Sequence, residues 1–257
     1  MTYGVSTAAI WSAALPFSPQ EIKVFGTTVV FAPHPDDESL ACGGMIALLR
    51  SMQIRVKVIF VSDGSLSHPS SKKYPAKQLV KLRHDEALAA LHFLEVGEEE
   101  VSFLNMKDGS VPGKGMEGFG HAVNVVAAKL QRINPGTIIL PWRRDTHKDH
   151  RACWQLVNDA SSRLVQQALM LEYPLWLWER GTTGDLPANE EINIRSVDIS
   201  KFLEAKKSAI HAHKSQVSLL IDDDPDGFWL SPEMISNFTG PKEIFMVSAT
   251  NPSNPKI

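Results

Sequence analysis

The sequence predicts an α/β fold, with a mostly parallel sheet covered by helices on both faces in a single domain. Short apolar runs rich in β-branched residues alternate with longer amphipathic segments, which is the pattern of strands joined by crossover helices. The 257 residues fit one large α/β domain, and no repeat or low-complexity linker divides them. Two polar motifs follow predicted strands, at the sheet edge where ligands bind in such folds.

In the first half of the chain, three predicted strands alternate with two predicted helices. Residues 27–32 form a continuous apolar run typical of a strand buried on both faces, and helical spacing extends over residues 39–50. A second strand is expected at 55–62, followed by an Asp-Gly pair. Residues 78–95 have apolar side chains along one helical face, and a short strand is expected near 101–104.

The second half continues this alternation and then becomes less regular. We expect a helix at 122–133, a strand at 137–141 and another strand near 169–178. A last helix is expected from residue 201 to about residue 213, followed by a tail without a clear pattern. Residues 1–25 are interpreted as an N-terminal extension and residues 26–257 as the α/β domain.

The composition argues against several classes of protein. Hydrophobic residues make up 43% and charged residues 21%, with a formal net charge of -3, so neither disorder nor a nucleic-acid partner is indicated. No apolar run approaches the roughly 18 residues that a membrane helix requires, so no membrane insertion is expected. Two cysteines cannot build a disulfide framework, which favours a cytoplasmic location. The oligomeric state stays open.

The first polar motif, residues 34–38 (HPDDE), stands where the first predicted strand opens into a helix. One imidazole and three carboxylates would suffer repulsion and desolvation unless a cation or protons offset their charge. Histidine and aspartate are suitable zinc ligands, and a catalytic zinc keeps an open coordination position. The plainer alternative is that an aspartate caps the helix and His34 is an ordinary loop residue.

The second polar motif, residues 145–150 (DTHKDH), follows the strand predicted at 137–141. His147 and His150 are three positions apart, so on the first turn of a helix they lie on one face and can reach a single centre. One imidazole could bind a metal while the other, protonated, stabilises an oxyanion or protonates a leaving amine. Alone, the motif equally fits a polar helix start with incidental histidines. Because both motifs fall at the same sheet edge, they together offer a His, Asp and His ligand set.

These residues resemble the PIG-L or LmbE-like family of zinc-dependent N-acetylglucosaminyl deacetylases. That family has a strand ending in AHPDDE, where this chain has PHPDDE at 33–38, and its HxDH element is matched by residues 147–150. Weaker agreements are spread along the chain: Ser-Asp-Gly at 62–64, Arg83, Glu86, Lys207 and HKSQ at 213–216. The resemblance implies a Rossmann-like fold with one Zn²⁺ and removal of an N-acetyl group.

The resemblance also implies a role for each residue of the two motifs. The zinc ligands would be His34, Asp37 and His150. Asp36 would be the general base that takes a proton from the attacking water. His147 would stabilise the oxyanion or protonate the departing amine, with Asp149 orienting it. Alternatively, Asp36 makes both proton transfers.

Other residues are candidates for supporting the metal ligands or for binding the substrate. Asp63 could support the site, and the resemblance favours Arg83 at the pocket rim, although Arg83 and Glu86 could equally form a surface ion pair. His213 could support the site or face the substrate. The acidic run at 222–226 is interpreted as a solvated turn. Three tryptophans could present flat faces to a sugar ring, although such residues are more often in the core: Trp176, Trp178 and Trp229.

The leading hypothesis is a zinc-dependent hydrolase that releases acetate from a small N-acetylated amino sugar or amino-sugar conjugate. The same site could instead hydrolyse an O-acyl ester or another amide, because specificity resides in the loops. A binding protein with a structural zinc is the alternative from another class, with Cys42 or Cys153 as an additional ligand. Against it, base and acid candidates stand beside a complete ligand set, and the Gly-x-Gly-x-x-Gly loop of dinucleotide binders is missing.

Overall fold

Eight strands form one sheet in the part of the chain that the computed structural model describes, residues 11–182, 184–188 and 191–248, excluding the side chains of residues 178 and 179. The strands are β1 (Leu15–Pro16), β2 (Thr28–Ala32), β3 (Val56–Ser62), β4 (Val101–Met106), β5 (Thr137–Pro141), β6 (Leu169–Tyr173), β7 (Ile192–Asp198) and β8 (Lys242–Ser248). The α-helices are α1 (Pro19–Lys23), α2 (Asp37–Ser51), α3 (Ala76–Phe93), α4 (Phe119–Ile133), α5 (Lys148–Ser161), α6 (Leu177–Arg180), α7 (Leu203–Ala212), α8 (Lys214–Val217) and α9 (Pro232–Ser236).

The sheet is mostly parallel, and the predicted α/β class is confirmed. The strand order is β1-β7-β8-β6-β5-β2-β3-β4. Neighbouring strands are parallel except at β8, which runs antiparallel to β7 and β6. The carboxyl ends of β2, β3, β4 and β5 therefore share one edge, where the loops that follow them meet.

Helices cover both faces of the sheet, and β2 contributes to both cores. Val30 and Ala32 pack into a core with α2, α3 and α7, whereas Val29 and Phe31 pack into a second core with α4 and α5. Side chains alternate along a strand, so an uninterrupted apolar run is what a central strand buried on both faces requires.

Several boundaries differ from the predicted ones, and two of these differences bear on the site. The helix after β2 begins at Asp37 rather than at residue 39, so its first turn carries part of the acidic motif. The strand expected near 169–178 ends at Tyr173, because Pro174 has no backbone N–H to continue the pairing, and the chain then forms α6.

The sequence pattern did not predict β1, β7 or β8. Within β7 and β8, Arg195 and Glu243 are buried and interrupt the apolar pattern. Arg195 pairs with Glu21 at 2.7 Å, and Glu243 pairs with Lys206 at 2.7 Å. Partners distant in the sequence thus compensate these charges, and a local pattern does not identify them.

Residues 11–25, within the segment interpreted as an N-terminal extension, pack on the sheet. Leu15 and Pro16 pair with β7, and the side chains of Trp11 and Phe25 are buried. Residues 1–10 and residues 249–257, the outer ends of the two interpreted segments, lie outside the described residues. Within the described part, no helix combines the length and apolarity needed to span a membrane.

Candidate active site

The loop after β2 brings a histidine and an aspartate of the first motif into contact. The backbone N–H of His34 donates to Oδ2 of Asp37 at 2.8 Å, and His34 Nδ1 lies 3.3 Å from the same oxygen. From the first turn of α5, Nε2 of His150 lies 3.2 Å from it as well. Two imidazole nitrogens thus meet one carboxylate oxygen at the carboxyl edge of the sheet, and this donor set suits zinc.

The electrostatic surroundings of these three side chains favour a cation. Burial alone would lower the pKa of His150, but Asp37 and Asp145 outweigh it and raise that pKa to about 9. Burial also opposes ionisation of Asp37, whereas His150 and His34 hold its pKa well below the usual range. Both ring nitrogens of His150 are buried without a well-formed hydrogen bond among the described residues. A cation would satisfy Nε2.

Besides His34, Asp37 and His150, two further groups of side chains in the described ranges have ligand atoms close enough to share a metal ion, and both contain His34 but not Asp37. Ligand atoms within each group lie within 4.8 Å of one another. One group consists of His34, His147 and His150. The other consists of His34, Asp108 and Asp149. Cys42 and Cys153 are buried and belong to neither group, which leaves the structural-zinc alternative without support from a cysteine ligand.

Asp36 directly precedes α2 in a strained backbone conformation. Its φ is 141°, which costs a non-glycine residue about 1–3 kcal/mol. Burial, together with the nearby charge of Asp37, raises the pKa of Asp36 to about 7, although Arg83 opposes this rise. A carboxyl group with this pKa exchanges a proton readily near neutrality.

Glu38 and His213 support the backbone at Asp36. Oε2 of Glu38 accepts the backbone N–H of Asp36 at 2.9 Å, and Oε1 lies 2.8 Å from Nε2 of His213. His213 is only 1% exposed and does not line the cavity that contains Asp36. The structure thus places His213 behind the acidic motif, away from the substrate-facing position that was one of its two expected roles.

Arg83 reaches the site from α3 as a buried side chain. It is 3% exposed and donates to the carbonyl oxygens of Gly64 at 3.0 Å and Pro35 at 2.6 Å. A third hydrogen bond, at 3.2 Å, goes to Oδ2 of Asp36. Glu86 instead accepts the N–H and the hydroxyl of Ser215. The expected alternative, a surface ion pair between Arg83 and Glu86, is therefore not formed.

His147 is the N-cap residue of α5. Its Nδ1 accepts the backbone N–H of Asp149 at 3.3 Å, so in the neutral ring Nε2 carries the proton. Burial and the neighbouring His34 and His150 lower the pKa of His147 to about 4. These surroundings favour a neutral hydrogen-bond donor over the imidazolium considered above.

The carboxylate of Asp149 lies against His34, not against the ring of His147 as expected. Its Oδ2 is 3.4 Å from Nε2 of His34 and accepts the backbone N–H of Gly109 at 2.7 Å. The reason is the N-cap itself: the backbone of Asp149 contacts His147, which leaves its side chain to point toward the loop after β4.

Asp108, which follows β4, is a site residue that the sequence reasoning missed. Its Oδ1 lies 3.3 Å from Nε2 of His34, opposite the ring nitrogen near Asp37. Asp63 fixes this loop, since its Oδ1 accepts the backbone N–H groups of Asp108 at 3.1 Å and Ser65 at 3.0 Å. The rule that polar groups gather at the ends of parallel strands could have identified Asp108.

Asp145 was part of the second motif but had no assigned role. It is fully buried, and its Oδ1 lies 3.5 Å from Nδ1 of His150 and accepts the backbone N–H of His147. Its Oδ2 accepts the backbone N–H of Trp176 at 3.1 Å. Carboxylates on the far nitrogen of a ligand histidine orient the ring and increase its basicity.

A cavity of about 230 Å³ opens over these residues. Its lining consists of His34, Asp36, Asp37, Leu66, Ser67, Arg83, Asp108, Gly109, His147, Trp176, Arg180, Gln216 and Phe228. Of the two candidate tryptophans whose side chains the structure describes, Trp176 lines the cavity, whereas Trp229 is 42% exposed and outside the lining. The side chain of Trp178 lies outside the described residues.

The acidic run at 222–226 is in part the solvated turn expected, since residues 222, 225 and 226 are exposed, but Asp223 and Asp224 also clamp the loop after β3. Asp223 accepts the hydroxyl of Ser71 at 2.7 Å and the backbone N–H groups of Lys72 and Lys73 at 2.8 and 2.9 Å. Asp224 accepts the backbone N–H of Ser70 at 2.8 Å. The run thereby fixes the loop after β3, which contributes Leu66 and Ser67 to the cavity.

Comparison with known proteins gives relatives in both sequence and fold. Residues 29–161 match the family described as PIG-L: GlcNAc-PI de-N-acetylase. The probable N-acetyl-alpha-D-glucosaminyl L-malate deacetylase 2 of Bacillus cereus is 26% identical over 198 residues, which are 76% of this chain and 85% of that protein.

Two solved structures share the fold at low sequence identity. N,N'-diacetylchitobiose deacetylase from Pyrococcus horikoshii has a TM-score of 0.67 and 19% identity, over 96% of this chain and 93% of that one. GalB, the 4-carboxy-2-hydroxymuconate hydratase from Pseudomonas putida KT2440, has a TM-score of 0.64 and 14% identity, over 90% and 99%. The fold thus carries more than one reaction, so the chemistry must be argued from the site.

Proposed function

Because this chain belongs to the PIG-L family of deacetylases, we propose that it is a zinc-dependent hydrolase that removes the acetyl group from an N-acetylated amino sugar, with Asp36 as general base. The observation that carries the proposal is the meeting of His34 and His150 at one oxygen of Asp37, beside the cavity that His34, Asp36 and Asp37 line.

The donor set fits a zinc ion. His34, Asp37 and His150 would hold it through Nδ1, Oδ2 and Nε2, three donors of the types that zinc prefers. When bound, zinc supplies a Lewis acid that lowers the pKa of a water and polarises the acyl carbonyl. Asp145 orients His150 through its Nδ1, and Asp108 and Asp149 orient His34 through its Nε2.

Asp36 moves the protons of the reaction. It takes a proton from the attacking water as the tetrahedral carbon forms, and returns it to the nitrogen as the carbon–nitrogen bond breaks. Without metal, burial and Asp37 raise the pKa of Asp36 to about 7, and a bound zinc ion would lower it toward the ionised form that accepts the proton. Arg83 fixes the carboxylate through Oδ2, and Glu38 fixes the backbone.

His147 stabilises the negative charge that develops on the acyl oxygen. The Nε2–H of its neutral ring donates a hydrogen bond, because Nδ1 is occupied by the N–H of Asp149. Removing one such donor from a hydrolase typically costs about 100- to 1000-fold in kcat. In this assignment Asp36, not His147, protonates the leaving amine.

The experiment compares acetate release by the zinc-loaded wild type and Asp36→Asn on a panel of N-acetyl and O-acetyl sugars. Asp36→Asn keeps the shape of the side chain and removes the base, so we expect a loss of about 100- to 10,000-fold with unchanged zinc content. Asp222→Asn, an exposed site outside the cavity lining, is the control. Full activity of Asp36→Asn would show that Asp36 is not the general base. Preference for the O-acetyl compounds would show that the enzyme is an esterase.

A further inference from the structure

A positively charged cleft lies at the edge of the sheet opposite the active site. Its volume is about 260 Å³, and it opens between the amino ends of β3 and β4 and the C-terminal end of α4. Four cationic side chains line this cavity, which is called the basic cleft below: Arg55, Lys57, Lys129 and Arg132.

Glu100 is the one carboxylate among the described residues that lines the basic cleft. Its Oε1 accepts Nε of Arg55 at 2.8 Å, and its Oε2 lies 2.5 Å from Nζ of Lys57. The exposed Glu98 and Glu99 precede it and are outside the lining. A single carboxylate is therefore shared by two cations and neutralises one positive charge.

Lys129 and Arg132, on α4, have no counterion. In the part of the chain that the structure describes, no carboxylate forms an ion pair with either side chain. A plainer role for them is to offset the partial negative charge at the C-terminal end of α4, which is about half an elementary charge. Glu100 and the helix end together offset about 1.5 of the four positive charges, so about 2.5 remain in the cleft.

This local excess runs against the charge of the whole chain, which is -3. Cations that converge on one cavity repel one another, and a bound anion would relieve that repulsion. Part of the cleft is also fixed before any ligand arrives, because Glu100 holds Lys57, whose side chain is only 18% exposed. A cation set in place before binding loses less conformational freedom when it meets its partner.

The donors of the basic cleft suit phosphate. A phosphate group carries about 1.5 to 2 negative charges near neutral pH, so one or two such groups match the excess charge. Guanidinium groups bind phosphate through two parallel hydrogen bonds, ammonium groups bind it as point charges, and the hydroxyl of Ser102 adds a further donor. The volume suits a small molecule, whereas a nucleic acid requires a longer basic stripe along the surface.

We propose that the basic cleft is a second binding site, which binds the phosphate of a small phosphorylated metabolite. The site is separate from the active site, because the seven residues of β3 span roughly 20 Å between the cleft and the loop that follows Ser62. The inference is therefore independent of the proposed deacetylase function.

The test records backbone amide NMR shifts of the zinc-loaded protein while inorganic phosphate or fructose 1,6-bisphosphate is added at about 150 mM salt. Shifts in residues 55–59, 98–102 and 129–133 report on the basic cleft, and shifts in residues 34–37 and 145–150 report on the zinc site. The variants are Arg132→Gln and Lys129→Gln. Arg163→Gln is the matched control, because Arg163 is exposed, donates to Asn124 and is outside the cleft, so the same charge is lost elsewhere.

We expect saturable shifts at the basic cleft with at least one of the two probes, and the probe that binds more tightly indicates how many phosphates the site takes. Arg132→Gln and Lys129→Gln should each increase Kd about tenfold, whereas Arg163→Gln should leave it within about twofold. Shifts that do not saturate, shifts confined to the zinc site, or equal Kd values in all three variants would overturn the inference. Tighter binding of a short DNA duplex than of either probe would overturn it in favour of a nucleic-acid surface.

Discussion

Nη2 of Arg83 lies 3.2 Å from Oδ2 of Asp36, and both side chains are buried. Burial raises the pKa of Asp36 to about 7, and the positive charge of Arg83 opposes that rise. In the proposed mechanism the ionised carboxylate is the base, so kcat/KM should increase with pH on the acidic side of the profile. Replacing Arg83 by glutamine removes the opposing charge. The acidic limb of the profile, where kcat/KM rises with pH, should then move to higher pH.

The measurement is the pH profile of kcat/KM for the zinc-loaded wild type, Arg83→Gln and Arg83→Lys. Arg83→Lys keeps the charge and should keep the limb near its wild-type position. A limb at the same pH in wild type and Arg83→Gln would show that Arg83 does not control the ionisation of Asp36, or that Asp36 is not the titrating base.

The second prediction concerns Asp145 and the affinity for zinc. His150→Gln removes a proposed ligand and should abolish stoichiometric binding, whereas Asp145→Asn should weaken affinity by about 10- to 100-fold. Competition with a chelator of known affinity measures both changes. Asp159→Asn, near the C-terminal end of α5 and outside the cavity lining, is the control. Wild-type affinity for zinc in Asp145→Asn would show that Asp145 does not support the ligand His150.

The third prediction concerns the clamp made by Asp223. Asp223→Asn weakens three hydrogen bonds to the loop after β3, so amide hydrogen exchange in residues 65–74 should accelerate by about tenfold. KM should increase because Leu66 and Ser67 lose their fixed positions. Asp222→Asn is the control, since Asp222 pairs with the side chain of Lys73 alone. Identical exchange in the two variants would contradict the clamp.

The fourth prediction concerns the buried pair of Glu38 and His213. Burial alone lowers the pKa of His213, but Glu38 reverses this and the net pKa is above the ordinary 6.5. A raised pKa in the folded state means that the stabilisation is complete below 6.5 and is lost as pH rises through the folded value. His213→Gln should therefore lose about 3 kcal/mol of unfolding free energy in mildly acidic buffer, and less in alkaline buffer.

Urea denaturation of the zinc-free wild type and His213→Gln at the two pH values measures this difference. His211→Gln, an exposed histidine in the last turn of α7, is the control for loss of a histidine. An equal deficit at both pH values would mean that charge pairing with Glu38 does not stabilise the fold.

The sequence predicted that the two polar motifs meet at one edge of the sheet, because the information in each motif is local. Residues 34–38 connect a buried strand to the start of a helix through a tight turn. Residues 145–150 lie in the same arrangement after β5. Each motif is continuous, so its residue types and spacing are visible without knowledge of the fold. The match over residues 29–161 confirms the resemblance to the PIG-L family on which the assignments relied.

What the sequence did not reveal depends on contacts between distant segments. Arg195 and Glu243 interrupt the apolar patterns of β7 and β8, so these strands were not predicted. The partners that make their burial possible, Glu21 and Lys206, lie far away in the chain. Asp108 reaches His34 across 74 positions, a relation that no local pattern carries. The contacts of Asp223 and Asp224 were not predicted for the same reason, because their partners follow β3.

The most direct test of the whole account is the zinc content of the purified protein, measured together with acetate release from an N-acetylglucosamine conjugate before and after chelation. The account predicts one zinc per chain, loss of acetate release when the metal is removed, and recovery on adding zinc back. A protein without bound metal that still releases acetate, or release indifferent to chelation, would contradict the zinc mechanism at its centre.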